Sequence, residues 1–194
     1  VQVPQLPLSP YVADNPFVDE FQNTSLGIHW NTLRIPATDQ ILSLTAKPGY
    51  LRLYGRQSLE STFVQSLVAR RQQSFSYTAE TQLLFTPETS LHMAGLVCYY
   101  NTSNYYYLRV TFDEDLQKMC IGVLASQNSD ESPSMLHDDN IFFEDAGMID
   151  LKVVVNYSKL QFFYRLGLTS WLPIGPEYDA STPVSFPHRT LPTT

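Results

Sequence analysis

Residues 75–85 alternate between apolar or small side chains and polar ones, and this pattern constrains the fold more than any other feature. One face of a strand here would carry Phe75, Tyr77, Ala79, Thr81, Leu83 and Phe85, and the other Ser74, Ser76, Thr78, Glu80 and Gln82. A two-residue period is that of a β-strand with one buried and one solvated face, which antiparallel sheets allow. The segment therefore predicts an antiparallel sheet that is covered on one side by a second layer.

Similar strand signals recur along the chain between short polar turns. Residues 93–100 and 105–112 flank the turn sequence NTSN, and residues 149–155 and 160–164 flank NYSK, so two hairpins are predicted. Further strands are predicted at 17–21, 50–54, 119–124, 141–143 and 171–174. No segment shows the sustained 3.6-residue period of a helix. We therefore predict an all-β fold, a two-layer antiparallel β-sandwich.

The first residues differ in composition from the rest of the chain. Residues 1–16 contain four prolines and little periodicity, so we predict an extended linker that follows another domain, with the sandwich domain over 17–194. The chain begins with Val, and its start lacks the basic and apolar regions of a signal peptide. We expect a cytoplasmic fragment of a longer protein. No run of 18 apolar residues predicts a membrane span.

Charge and cysteine content limit the classes of partner and of compartment. The chain has 12 basic and 19 acidic residues, a formal net charge of −7. Nucleic acids and anionic membranes are bound by clustered Lys and Arg, so neither is an expected partner. Cys98 and Cys120 lie in strand-like runs and could pair only if their strands are neighbours. Two buried thiols in a reducing compartment are the favoured interpretation.

Catalytic and metal-binding motifs are weak in this sequence. The four histidines form no HxH or HExxH pattern and the cysteines no CxxC, so no transition-metal site is expected. Pairs of carboxylates occur at Asp19/Glu20, at Asp113/Glu114/Asp115 and at Asp138/Asp139, where solvated strand ends or turns explain them. Asp19 and Glu20 could provide oxygen ligands to a structural Ca²⁺, although a plain strand edge explains them as well. No other cofactor is predicted.

Aromatic side chains beside arginines form the strongest candidate binding surface. If Leu51 and Leu53 face the core, then the outward side chains are Tyr50, Arg52 and Tyr54. On another strand, the face opposite Leu108 and Val110 carries Tyr105, Tyr107 and Arg109. Such rings make a sugar-stacking platform or a domain interface. Burial against the second layer is the remaining alternative.

Five sequence stretches between residues 17 and 181 carry a family resemblance. They are WNTLRIP (30–36), SLTAKPGYLRLYGR (43–56), STFVQSLVARRQQ (61–73), MAGLVCYYNTSNYYYLRVT (93–111) and WLPIGPEYDAS (171–181). In this order they resemble the C-terminal domain of bacterial family-43 β-xylosidases. The resemblance implies a concanavalin A-like jelly roll. It also implies a parent enzyme that hydrolyses xylo-oligosaccharides from the non-reducing end with inversion, often with arabinofuranosidase activity. That family's catalytic carboxylates lie on a five-bladed propeller that precedes this domain.

The resemblance predicts that this chain alone is a non-catalytic accessory domain that docks on the propeller and stabilises it, in a parent that is often a homo-oligomer. Candidate interface residues are Trp30, Arg34, Arg56, Arg70 and Arg71. The alternative is a carbohydrate-binding module with a groove lined by Tyr50, Tyr54, Tyr105 and Tyr107 that binds xylo-oligosaccharides. A self-sufficient hydrolase using Asp19/Glu20 or Asp113–Asp115 is disfavoured, because the propeller is missing.

The resemblance ends near Ser181. The following residues, TPVSFPHRTLPTT (182–194), contain no glycine, whereas the family has a Gly-rich loop and a final apolar strand there. A Phe from that region helps to close the substrate pocket in the family, and we do not transfer this role to Phe186. We therefore predict a divergent tail from about residue 182.

Overall fold

The computed structural model describes residues 17–127, 134–135, 140–144 and 147–181. The predicted linker over 1–16 and the predicted tail from 182 lie outside the described residues. Within them the chain forms no helix, which confirms the all-β fold class. Their strands are β1 (Trp30–Thr32), β2 (Leu42–Ser43), β3 (Arg52–Leu53), β4 (Val68–Arg70), β5 (Ser76–Leu84), β6 (Ala94–Asn101), β7 (Asn104–Asp113), β8 (Lys118–Gln127), β9 (Ser134–Met135), β10 (Ile141–Phe143), β11 (Met148–Asn156), β12 (Lys159–Leu166) and β13 (Leu172–Asp179).

Two antiparallel sheets form the layers of the predicted sandwich. The first has the strand order β10-β8-β7-β6 with β9 paired to β8, and the second has the order β13-β12-β11-β5. Side chains from both sheets form one hydrophobic core, which includes Leu108, Ile121, Ile149, Leu151 and Phe162, each fully buried. Burying one such side chain stabilises the fold by roughly 1.5–3 kcal/mol relative to leaving it exposed. The two-layer antiparallel β-sandwich is therefore confirmed.

The alternation predicted for 75–85 is present in β5, an outer strand of the second sheet. Tyr77, Ala79 and Leu83 pack against the core, while Glu80 and Gln82 on the other face are exposed. Phe75 precedes the strand and is 75% exposed, so it does not join the buried face. The two-residue period therefore identified the core-facing side of β5, although Thr81 on that side is exposed.

Both predicted hairpins and the short strand at 141–143 are confirmed. β6 pairs with β7 through a turn at 102–103, and β11 pairs with β12 through a turn at 157–158. Two other predicted strands are wrong in part. Residues 17–21 form no strand, and the strand predicted at 50–54 shortens to the two residues of β3, paired only with β2. Leu53 is 44% exposed, so it does not face the core as expected.

The central strand β7 is buried on both faces. Tyr106, Leu108 and Val110 point into the core between the sheets. Tyr105 and Arg109 point the other way and are each only 2% exposed, so a further part of the chain covers this face. One such contact is made by the Ser90 carbonyl, which accepts a hydrogen bond from the Thr111 hydroxyl at 3.0 Å. The charge of Glu60 also acts on this face, where it contributes to the raised pKa of Tyr105.

The two cysteines lie on opposite faces of the first sheet, and both are free thiols. Cys98 in β6 is paired with Tyr106, whose side chain faces the core, whereas Cys120 in β8 is paired with Thr111, which faces away from it. Because side chains alternate across a strand, the sheet itself separates these two sulfurs. Both thiols are therefore unpaired, as the favoured interpretation expects, with Cys120 buried and Cys98 half-buried, and the reducing compartment stays a prediction. The described residues include no helix long and apolar enough to cross a membrane.

Candidate interface surfaces

Trp30 is the centre of an aromatic cluster at one surface of the domain. Its ring lies 6.0 Å from that of Phe17 and 5.8 Å from that of Phe21, measured between ring centroids. The guanidinium of Arg70 lies over the Phe17 ring at 4.3 Å, a cation–π contact. β1 and β4 are paired, with Trp30 opposite Arg70, and this pairing brings the cluster together. Two predicted interface residues, Trp30 and Arg70, therefore belong to one surface.

The carboxylate of Asp19 organises this cluster. One oxygen accepts the Trp30 indole N–H at 2.7 Å, and the other accepts the Phe21 backbone N–H at 2.9 Å. A calcium ion takes six to eight oxygen ligands, and both oxygens of Asp19 are already engaged. The described residues contain no group of three or more His, Cys, Asp or Glu that could hold a metal ion. The neighbourhood of Asp19 and Glu20 therefore does not fit a calcium site well, and calcium binding stays a prediction.

Arg34 and Arg56 are exposed arginines that also brace the backbone of the loops around them. Arg34, which has a positive φ of 63°, donates to the Ser61 carbonyl at 3.1 Å and to the Gln65 side-chain oxygen at 3.0 Å. Gln65 is itself buried, and its side-chain NH₂ group shares its two N–H donors among three loop carbonyls, those of Ser58, Leu59 and Ser61. Arg56 donates to the Gln40 carbonyl and lines an open cleft of about 560 Å³. Arg71 is exposed.

Arg52 and Tyr54 are exposed, whereas Tyr50 is half-buried, and their role in an interface stays a prediction. Tyr50 is half-buried, and the ammonium of Lys47 lies 3.9 Å from its ring centroid. Tyr54 is 36% exposed, and its backbone N–H donates to the Ile41 carbonyl at 2.9 Å. The Lys47 contact occupies one face of the Tyr50 ring, which leaves the exposed part of Tyr54 as the more open aromatic surface of this segment.

The expectation that Tyr105, Tyr107 and Arg109 form an open platform is wrong. These side chains do point away from the core, but Tyr105 and Arg109 are buried and Tyr107 is largely so. Burial raises the pKa of Tyr105 to about 12, with smaller contributions from the charges of Glu60 and Tyr99. Burial also raises the pKa of Tyr107, against the opposing effect of Arg109. The part of the chain that covers β7 closes this face to a sugar chain or to another domain.

The carboxylates of the acidic turn between β7 and β8 hold the turn itself and the loop at Ser90 in place. One oxygen of Asp113 accepts the backbone N–H groups of Asp115 and Leu116 at 3.0 and 2.8 Å. A Glu114 oxygen accepts the backbone N–H and the hydroxyl of Ser90, which lowers the pKa of Glu114. A general acid needs a raised pKa, so this turn does not resemble a glycosidase pair.

The outer face of the second sheet carries a polar and aromatic group that the sequence reasoning missed. Trp171 lies 4.0 Å from the Lys152 ammonium and 4.6 Å from the Arg165 guanidinium, measured to the ring. Arg165 pairs with the buried Asp150 across β11 and β12 at 2.7 Å. The alternation within residues 149–155 and 160–164 is the sequence signal that could have shown that Asp150, Lys152 and Phe163 share this face.

The comparisons with known proteins agree with this architecture. The family model described as "Beta xylosidase C-terminal Concanavalin A-like domain" matches residues 18–187. The chain is 39% identical over 171 residues to "Beta-xylosidase" of Bacillus subtilis (strain 168), covering 88% of the chain and 32% of that protein. It is 36% identical over 185 residues to "Xylan 1,3-beta-xylosidase" of a Vibrio species, covering 95% of the chain and 33% of that protein.

A solved structure of a β-xylosidase contains a domain with the same fold as this chain. The crystal structure of xylan beta-1,4-xylosidase from Bacillus halodurans C-125 superposes with a TM-score of 0.81 at 37% sequence identity, over 92% of this chain and 34% of that one. The chain therefore spans about a third of the length of the relatives it matches. Both the family resemblance and the concanavalin A-like fold are confirmed. The chain belongs to the family of β-xylosidase C-terminal concanavalin A-like domains of glycoside hydrolase family 43.

Proposed function

We propose that this chain is the non-catalytic accessory domain of a family-43 β-xylosidase-type glycoside hydrolase, where it docks on the five-bladed catalytic propeller and stabilises it. The observation that carries the proposal is the match of a C-terminal domain family to residues 18–187, in a chain that spans about a third of its relatives. The remaining two thirds of those relatives have room for a separate catalytic domain.

The hydrogen bonding of the candidate carboxylates supports a non-catalytic role. Asp19 holds Trp30 and Phe21, Asp113 caps a turn, and Glu114 binds Ser90. An inverting glycosidase requires two carboxylic groups about 6.5–9.5 Å apart, one of them with a raised pKa, across a sugar site. Three of the carboxylates named for a self-sufficient hydrolase, those of Asp19, Asp113 and Glu114, are thus engaged in local hydrogen bonds.

The Trp30 surface is our candidate docking surface. Around the Trp30 cluster, Phe17 is 40% exposed, while the neighbouring Val18 and Ile28 are 70% and 92% exposed. Exposed apolar side chains beside an arginine are typical of protein interfaces. Arg70 supplies that arginine and is already fixed over the Phe17 ring. Docking would bury these side chains and thereby stabilise both domains.

The test compares the full-length parent enzyme with a truncated form that lacks this domain from residue 17 of the present chain onward. Both are measured by thermal unfolding and by xyloside hydrolysis. We expect the truncated enzyme to melt several degrees lower, and this chain added in trans to restore part of the loss, because an interface that binds only the folded propeller raises its stability. An Ile28→Ala/Arg70→Ala variant should restore less, whereas Lys159→Ala, at the start of β12 and outside the Trp30 cluster, should restore fully. Equal melting temperatures with and without the domain would contradict the proposal.

A carbohydrate-binding module for xylo-oligosaccharides is the second candidate, and the exposed Tyr54 favours it. Because Tyr105 is buried, the groove predicted for this function reduces to Tyr50 and Tyr54. Isothermal titration of the chain with xylo-oligosaccharides tests it: heat that disappears in Tyr54→Ala supports the module, and absence of heat argues for docking alone. Homo-oligomer formation and a cytoplasmic location stay predictions.

A further inference from the structure

The outer face of the second sheet has a pocket at the end where β12 turns into β13. It has a volume of about 320 Å³ and is lined by Gln82, Met148, Asp150, Arg165, Leu168 and Thr169, with Gly167 in the turn. Gln82, Asp150 and Arg165 come from three neighbouring strands in register, since Asp150 is paired with both others. Rigid strands therefore position the polar side chains, and the turn at 167–169 supplies one wall.

Asp150 is the unusual member of this pocket. Only 6% of the residue is exposed, and its Oδ2 accepts from the Nε and Nη2 atoms of Arg165, each at 2.7 Å. Its Oδ1 is buried and accepts no hydrogen bond from any residue that the structure describes. A buried acceptor without a partner costs about 1–3 kcal/mol, so a bound group that donates a hydrogen bond here would recover stability.

The charges around the pocket are balanced in pairs. Arg165 neutralises Asp150, and Lys152 lies 3.9 Å from Glu80. Both cations are also held against the Trp171 ring. A cation would be repelled by Arg165 and an anion by Asp150, so neither suits the position beside Oδ1. The chemistry required is an uncharged group with an O–H or N–H donor.

The remaining walls combine apolar and polar surfaces. Met148 and the fully exposed Leu168 supply apolar surface, while Gln82 and Thr169 supply an amide and a hydroxyl. The volume is at the lower end of the range for small-molecule sites, about 300–1,000 Å³, which suits a single ring and not a long chain. A sugar ring has this combination of an apolar C–H face and a rim of hydroxyl donors.

We propose that this pocket binds one sugar ring, with a ring hydroxyl donating to Asp150 Oδ1 and the C–H face packed on Leu168. Because Oδ1 is buried, the ring would have to displace neighbouring side chains to reach it, and the exposed side chains of Gln82 and Leu168 are the ones free to shift. This site goes beyond the docking role, and it is separate from the Tyr50/Tyr54 surface. Its failure would leave the docking proposal intact, because docking is read from domain stability without any sugar.

The test is a ¹H–¹⁵N NMR titration of the chain with D-xylose, with glycerol as a polyol that lacks a ring. The chain has two tryptophans, so the indole N–H signals of Trp171 and Trp30 report on this pocket and on the aromatic cluster separately. We expect saturable shifts of the Trp171 indole and of the backbone signals of 167–169, and no shift of the Trp30 indole.

Two variants and one control make the test specific. Asp150→Asn keeps the shape but replaces the carboxylate, and we expect about tenfold weaker binding, the loss of one charge-assisted hydrogen bond. Gln82→Ala changes an exposed side chain, leaves the fold intact and should weaken binding severalfold. Tyr54→Ala should leave the Trp171 shift unchanged. The proposal is overturned if the Trp171 indole does not shift, if glycerol gives the same shifts, or if Asp150→Asn and Gln82→Ala bind as the unchanged chain does.

Discussion

Trp30 donates its indole N–H to the Asp19 carboxylate at 2.7 Å, and this bond ties the irregular segment before β1 to the first strand. The second oxygen of Asp19 holds the Phe21 backbone. Phe17 and Phe21 then pack on the Trp30 ring, so one carboxylate orders the aromatic surface assigned to docking. Hydrogen bonds to a charged acceptor are stronger than neutral ones, which makes Asp19 the residue on which this surface depends.

We expect Asp19→Ala to lower the free energy of unfolding by about 1–2 kcal/mol, because it leaves the Trp30 indole and the Phe21 amide without their acceptor. Urea unfolding followed by tryptophan fluorescence measures the change. The neighbouring variant Glu20→Ala removes an exposed carboxylate and should stay within about 0.5 kcal/mol of the unchanged chain. Equal effects of the two substitutions would show that the hydrogen bonds of Asp19 contribute nothing specific.

Calcium gives a second test at the same residues. A structural Ca²⁺ on Asp19 and Glu20 would raise the melting temperature when CaCl₂ is added and lower it when EDTA is added, since a ligand that binds only the folded state stabilises it. Because both Asp19 oxygens already accept hydrogen bonds, we expect neither reagent to change the melting temperature. A calcium-dependent increase that is absent in Asp19→Ala would establish the ion instead.

Alkaline pH should destabilise this domain. Burial raises the pKa of the Cys98 thiol from 9.0 to about 11 and that of Tyr105 from 10.0 to about 12, and it also raises the pKa of Tyr77 and Tyr107. The folded chain therefore keeps protons that the unfolded chain releases. Stability is fully present below about pH 9 and is lost as the pH rises from about 9 to 12.

Urea unfolding at pH values from about 8 to about 10.5 measures this slope. Cys98→Ala and Tyr107→Phe each remove a titrating group and should make the slope shallower. Val97→Ala, next to Cys98 in β6, changes packing without removing a titrating group, so it should lower stability equally at every pH. A slope that is the same in all three variants would mean that these groups do not govern the pH dependence.

Gly95 in β6 should not tolerate a side chain. A methyl group there would clash with the Leu108 carbonyl oxygen and lie 3.0 Å from the Arg109 Cα, both of them backbone atoms of β7. Backbone in a paired strand cannot move aside cheaply, so we expect Gly95→Ala to cost about 1–3 kcal/mol. Gly55→Ala is the matched control, because nothing lies within 4 Å of its added methyl group. Chemical denaturation of both variants checks the difference.

The position of Asp150 shows a limit of sequence reasoning about the site. The alternation of residues 149–155 is enough to put Asp150 and Lys152 on one face of β11, although we did not predict a site there, and it cannot pair Asp150 with Arg165, which lies 15 residues along the chain. The register of β11 on β12 creates that pair, and the turn at 167–169 completes the pocket beside it. The sequence therefore shows that an acceptor, Asp150, and a donor, Arg165, are present, but it does not show that they contact each other.

The sequence by itself determined the approximate positions of the long strands β5, β6, β7, β8, β11 and β12, both hairpins, the all-β class and the family. It did not determine the short strands β1 to β4. Strand period and turn chemistry are local, so they can be deduced from neighbouring residues, as at Tyr77 and Ala79 on the buried face of β5. Only the tertiary structure decided that the second face of β7 is covered. Alternation shows which side chains share a face, but burial of Tyr105 and Arg109 depends on chain that lies far from them in sequence and folds back over the sheet.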